Sequence, residues 1–239
     1  IRTRKAPDCR MLFYADIMNT EPLQRLLNVP VALKKPARID GYMNSLQSEL
    51  SIQASVPQLS ISDQDYADIS LSVSTPADAL NAILKAKKVL SNGNKAEYAL
   101  NAMAANNKLS AALNFDNHSK LHLKGNMNAN AQFSRNEAGK VKAVVNIMPS
   151  QMMIDDTNWN IMSSTLTYSP KHIEIENFAI EHDDQHIHIN GLATEDNSDS
   201  LTVDLKDVDV AYILNLVNFH AVEWELYMPT WLGTTSRSR

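Results

Sequence analysis

The chain has 239 residues, 44% of them hydrophobic, which is the composition of a folded protein with a substantial core and not of a disordered tail. Its 22 basic against 27 acidic side chains leave a formal charge of −5, and no stripe of Lys or Arg is present to track a phosphate backbone, so nucleic-acid binding is not expected. The single cysteine, Cys9, excludes an intrachain disulfide framework and a multi-cysteine zinc site, and no apolar run approaches the roughly 20 residues needed to span a bilayer.

Residues 1–222 read as one β-rich segment, expected to be internal to a longer protein because neither an initiator Met nor a signal peptide opens it. Cys9 sits in "APDCRML", with no catalytic signature around it, and reads as a strand-edge residue. A short helix is expected near 20–27, where Thr20 opens "TEPLQRLL" as an N-cap. Residues 38–62 alternate loosely through Ile39, Tyr42, Leu50, Ile52, Leu59 and Ile61, with Pro57 interrupting the pattern. "ADISLSV" alternates cleanly through Ile69, Leu71 and Val73.

The strongest helix signal covers 76–90. Thr75 stands as N-cap, Pro76 at the first helical position, and Leu80, Ile83, Leu84 and Lys87 fall on one helical face. "SNGNK" follows as a turn too short and too poor in glycine to cradle a phosphate.

The clearest period-two run is "KLHLKGNMNANAQFS" at 120–134, with apolar residues on one parity and Lys, His, Asn and Gln on the other. "KVKAVVNI" and "SLTVDLKDV" repeat the pattern, and Met148, Met152 and Met153 between them read as core filling. A third short helix is expected near 210–217 in "VAYILNLV", and from Glu223 the alternation is lost, so 223–239 is expected to pack poorly. In total the patterning gives ten to thirteen strands, mainly antiparallel, joined by Asn, Asp and Ser turns because only six glycines are available.

"HDDQHIHI" at 182–189 raises the question of a metal. A two-residue turn at Asp183 and Asp184 places Ile180 opposite Ile187, Phe178 opposite Ile189, and Glu181 opposite His186. Ile173 and Ile175 have the wrong parity for that apolar face unless a bulge at Glu176–Asn177 returns them opposite Ala193 and Gly191. Glu181, His186 and His188 then share the wet face, with His182 at the turn. Metal sites need converging ligands and an orienting second layer, so the reading adopted from sequence is a solvated strand face with no metal and no cofactor. Glu174 and Glu176 read as surface carboxylates, and no nucleophile, base and oxyanion donor assemble, so no enzyme is expected.

So many alternating strands make a large apolar face that two or three short helices do not cover. A second sheet, a closed barrel or a groove filled by apolar ligands would each solve this; patterning alone does not choose among them, and only the general frequency of such folds favours the closed β-sandwich.

The phrases "WNI", "IEIENFAIEHDDQHIHINGLA" and "DSLTVDLKDVDV" within 141–210 resemble the TamB-like translocation and assembly module family of the AsmA-like superfamily, in its Bacteroidetes-type form. The resemblance implies a mainly β, antiparallel-rich sheet curled into a taco-like open groove. It implies a parent anchored in the inner membrane, on the periplasmic face of the envelope, that conducts phospholipid toward the outer membrane without catalysis and pairs with an outer-membrane barrel protein. Acyl chains would then lie against Leu121, Leu123, Met127, Phe133, Val141 and Val145, and against Phe178, Ile180, Ile187 and Ile189.

Overall fold

The computed structural model describes residues 8–21, 30–62, 64–119, 122–195 and 199–208. They form sixteen strands and almost no helix. The first half holds β1 (Arg10–Ile17), β2 (Val31–Leu33), β3 (Ala37–Asn44), β4 (Glu49–Ile61), β5 (Gln64–Ser74), β6 (Leu80–Val89), β7 (Lys95–Ala105) and β8 (Lys108–Asp116). The second holds β9 (Leu123–Arg135), β10 (Val141–Met148), β11 (Ser150–Ile154), β12 (Thr157–Ile161), β13 (Ser164–Ser169), β14 (His172–His182), β15 (Gln185–Thr194) and β16 (Leu201–Lys206).

All sixteen belong to one antiparallel sheet built as a meander. Neighbours run β1, β3, β4 and so on in sequence to β10, then β13, β14, β15 and β16. The short strands extend this ladder: β2 lies along β4, β11 along β9 and β12, and β12 along β14. Among the described residues the ladder does not close into a barrel, and the strands do not divide into the two sheets of a sandwich. The chain comprises two compact units, Ile1–Asn128 and Ala129–Arg239.

The expected helix over 76–90 is a strand. Only Pro76–Asp78 forms a 3-10 turn, and Leu80–Val89 pairs with β5 on one side and β7 on the other. Leu80 and Leu84 misled because a spacing of four is even and satisfies a strand as well as a helix. Ile83, which a helix would bring to the same face, points to the other side of the sheet. Nor does Thr75 cap anything: its hydroxyl donates to Ser48 O at 2.9 Å and accepts from Leu50 N at 2.7 Å, tying the turn to β4. The helix expected near 20–27 lies outside the described residues from 22 onward, and the one expected near 210–217, like the atypical tail at 223–239, lies outside them entirely.

Tight turns use Asn and Asp in place of glycine. Asn106 and Asn107 between β7 and β8, and Asp155 and Asp156 between β11 and β12, all take left-handed φ from 49° to 64°, the conformation that favours two-residue hairpins and that Asn and Asp tolerate.

Pairing registers show how irregular patterning still yields a continuous apolar face. In the first unit Met11 and Phe13 of β1 pair with Met43 and Gly41, and Gly41 with Ile52. Ile52 pairs with Val73, Ala54 with Leu71, Leu71 with Leu84, Leu84 with Leu100, and Leu100 with Leu113. Directly paired residues share a face, so one apolar surface runs from β1 to β8.

Pro57 does not break that face, because its ladder partner bends with it. Between the pairs Val56–Ile69 and Gln58–Ala67 the ladder skips Pro57 and Asp68, and Asp68 has φ 52°. Beyond this point Tyr66 pairs with Lys88, which has the parity of Leu84, so Leu59 and Tyr66 rejoin the apolar side.

The second unit repeats the device. The register of β14 against β15 shifts between Ile175 and Phe178, at the expected bulge, with Ile175 opposite Gly191 and Ile173 opposite Ala193. Asn177 adopts φ 55° and its N–H donates to Asn190 Oδ1 at 2.5 Å. In the adjacent strands the same parity change occurs at Met162–Ser163, between β12 and β13, and at Pro149, between β10 and β11. Sixteen strands are found among the described residues where ten to thirteen were expected; these two breaks and the strand that replaces the helix expected over 76–90 contribute to the difference.

Candidate functional site

The apolar face of the first unit differs from a packed core in one respect. Ile52, Ala54, Val56, Leu71, Val73, Leu100 and Leu113 are all half-buried, and Leu80 and Leu84 are exposed; among these central strands Phe115 and Ala96 are the buried members. A second sheet packed about 10 Å away would bury them nearly completely.

The residues expected to line a lipid groove are distributed as follows. Leu123 is buried and Met127 half-buried on one parity of β9, at the end of the first unit. In the second unit Ile180 and Ile187 are buried and directly paired, Phe178 and Ile189 are paired and half-buried, and Val145 is half-buried opposite Leu166. Phe133 and Val141 are exposed, and Leu121 lies outside the described residues. Around Ile180 the second unit has a dense apolar centre: Trp159 is 1% exposed, and Met152, Ile154 and Ile161 are buried beside it in the ladder. His182 belongs here, not on the wet face. Its ring lies 5.5 Å from Trp159, and Nδ1 is 2.8 Å from Asn158 O.

The wet face of the first unit holds a charged recess that patterning did not reveal. It measures about 570 Å³ and is lined by Asp68, Lys85, Lys87, Glu97, Asp116 and Lys124 among others. Lys87 Nζ lies 3.2 Å from Glu97 and 3.7 Å from Asp68, and Lys95 reaches Asp68 at 3.2 Å. The hydrogen bond to Glu97, with the charges of Glu97 and Asp68, raises the Lys87 pKa, and Lys95 chiefly lowers that of Asp68. Asp116 is the least exposed carboxylate here. Burial opposes its ionisation, but hydrogen bonds from His122 at 2.9 Å and from the His118 N–H at 3.0 Å outweigh this and hold the carboxyl below its ordinary value. Residues from five strands, β5 to β9, make the recess, which is why a linear reading missed it.

The histidines of β15 meet partners on both neighbouring strands. His188 Nε2 lies 2.8 Å from Glu181 Oε1 of β14, and His186 Nε2 lies 3.1 Å from Asp204 Oδ2 of β16. The two imidazoles stack with centroids 4.0 Å apart and planes 16° from parallel. Glu181 therefore reaches diagonally past its direct ladder partner His186.

No family model, curated protein or solved structure matches this chain.

Proposed function

We propose that this chain is a segment of an envelope protein that conducts phospholipid across the bacterial periplasm, between inner and outer membranes, and so supports outer-membrane biogenesis without catalysis. The observation that carries the reading is the half-open apolar face over β1 to β8, together with the resemblance of residues 141–210 to the TamB-like family. An inner-membrane anchor in the parent, a curled groove and an outer-membrane barrel partner belong to the same proposal.

The energetics suit conduction. Withdrawing a methylene from water contributes about 0.8 kcal/mol, so an acyl chain does not leave the face for solvent. Moving the same chain from bilayer to apolar side chains exchanges like for like and costs little. Affinity is then spread over many aliphatic contacts, with head groups left at the wet margin, and no single residue is essential. The alternative expectation from the sequence, a secreted or surface β-sandwich that binds partners at its loops, requires two packed sheets, and the strands described here form one.

The test is lipid extraction from the full chain purified out of a bacterial host. Wild type and Ile83→Asp, altered on the wet face, are expected to retain phospholipid. A combined Leu71→Asp, Leu84→Asp, Leu100→Asp variant is expected to lose it while keeping its β circular dichroism. A folded wild type free of lipid, or equal retention by the triple variant, overturns the proposal.

A further inference from the structure

We propose that Glu181, His186, His188 and Asp204 form a site for a first-row divalent cation that clips β16 to the sheet. Sequence alone offered two histidines and a glutamate; the missing condition was convergence. The structure supplies it, because β16 pairs with β15 so that Asp204 stands directly opposite His188. A ring nitrogen of His186, a ring nitrogen of His188 and an Asp204 carboxylate oxygen all lie within 4.8 Å of one another. Glu181 stands outside that group of three, but its Oε1 is 2.8 Å from His188 Nε2, so turning the rings would bring it in as a second oxygen, giving two nitrogens and two oxygens from three adjacent strands.

That donor set is the chemistry of a borderline cation such as Zn²⁺, with bonds of about 2.0–2.2 Å and ligand atoms about 3.4 Å apart in a tetrahedron. The nitrogen–oxygen contacts are already near that spacing. Closing the site requires the stacked rings to turn so that both Nε2 lone pairs aim at one point, a side-chain rotation on a solvent-facing strand. On binding, each neutral ring carries its proton on Nδ1, and the ion replaces the proton now shared between nitrogen and carboxylate.

The structural consequence falls on β16. Among the described residues this six-residue strand pairs with β15 alone, and five of its six residues are exposed. A metal bond to Asp204 would fasten it through its side chain as well as its ladder. A second group, Asp116, His118 and His122, also gathers three candidate ligands, but there Asp116 Oδ1 accepts from the His122 ring and the His118 backbone N–H, and Lys124 Nζ lies 3.8 Å from Oδ2, so a cation already stands beside that carboxylate. It serves as the internal control.

The experiment is a Zn²⁺ titration of the full chain, carrying no histidine tag, followed by calorimetry and by ¹H–¹⁵N spectra. The expected result is one equivalent bound, shifts centred on residues 181, 186, 188 and 204, and slower exchange of β16 amides. His186→Asn and Asp204→Asn are expected to weaken binding at least tenfold, while His118→Asn with His122→Asn leaves it unchanged. Because the spectra of the unaltered protein locate the ion, a misfolded variant does not remove the test. No binding by wild type, or shifts centred on residues 116–122, overturns the proposal.

Discussion

Gly191→Ala is expected to detach β16 while leaving the rest of the sheet in place. Gly191 has φ +135°, a conformation that side-chain-bearing residues rarely adopt, and it pairs directly with Leu201. A Cβ built there falls 2.2 Å from Ser200 O, 3.0 Å from Leu201 Cα and 3.2 Å from Ser200 C. All three atoms are backbone, so no rotamer change relieves the clash. The first must move by about 1.2 Å to reach ordinary contact at 3.4 Å. Backbone strain of about 1–3 kcal/mol and overpacking of about 1–3 kcal/mol put the local cost at roughly 2–6 kcal/mol. A six-residue strand with one neighbour among the described residues has little to set against that, so it opens before the sheet unfolds. Hydrogen exchange is the assay: β16 amides should lose protection by a factor of thirty or more, with those of β13 and β14 unchanged. Equal protection of β16 in variant and wild type would refute the reasoning.

Trp159→Ala removes the centre of the second unit and should cost about 3–5 kcal/mol in chemical denaturation; a loss below 1 kcal/mol would mean that the ring is not packed as described. Gly41→Ala should change sign with its background. Its Cβ would meet Cζ of Phe13 at 2.2 Å, so it destabilises by about 1–2 kcal/mol beside Phe13 but stabilises beside Phe13→Ala, where alanine is the better strand residue. Asp116 has its pKa depressed on folding, so the stability it contributes is present above the ordinary 3.8 and is lost as pH falls through the folded value. Asp116→Asn should therefore lower stability at pH 7 and flatten its decline below about pH 4; an unchanged acid limb would contradict this. Lys87→Ala, at an exposed surface network, should leave the melting temperature nearly unaltered.

What the sequence made legible was whatever depends on parity within one or two strands. The hairpin at Asp183–Asp184, its register and the bulge at Glu176–Asn177 all follow from where the isoleucines must point, and the structure has each of them. What it concealed depends on more than one strand at once. Leu80 and Leu84 satisfy two periods, and only pairing to β5 and β7 decides for the strand. Pro57 looked like a break because its compensating partner, Asp68, lies on the next strand. Asp204 was unremarkable in "SLTVDLKDV" until β16 brought it opposite His188. His182 has the parity of Ile180, which places it against Trp159 instead of with the other two histidines.

The central claim, that the apolar face of the first unit holds acyl chains, is tested most directly at two adjacent residues. Ile83 and Leu84 are 43% and 37% exposed, so solvent access hardly distinguishes them, yet they point to opposite faces of β6. A photo-crosslinking residue placed at each position in turn, in cells or with phospholipid vesicles, reads which face meets lipid. The account predicts phospholipid adducts at position 84 and none at 83. Equal labelling at both, or none at 84, would contradict it.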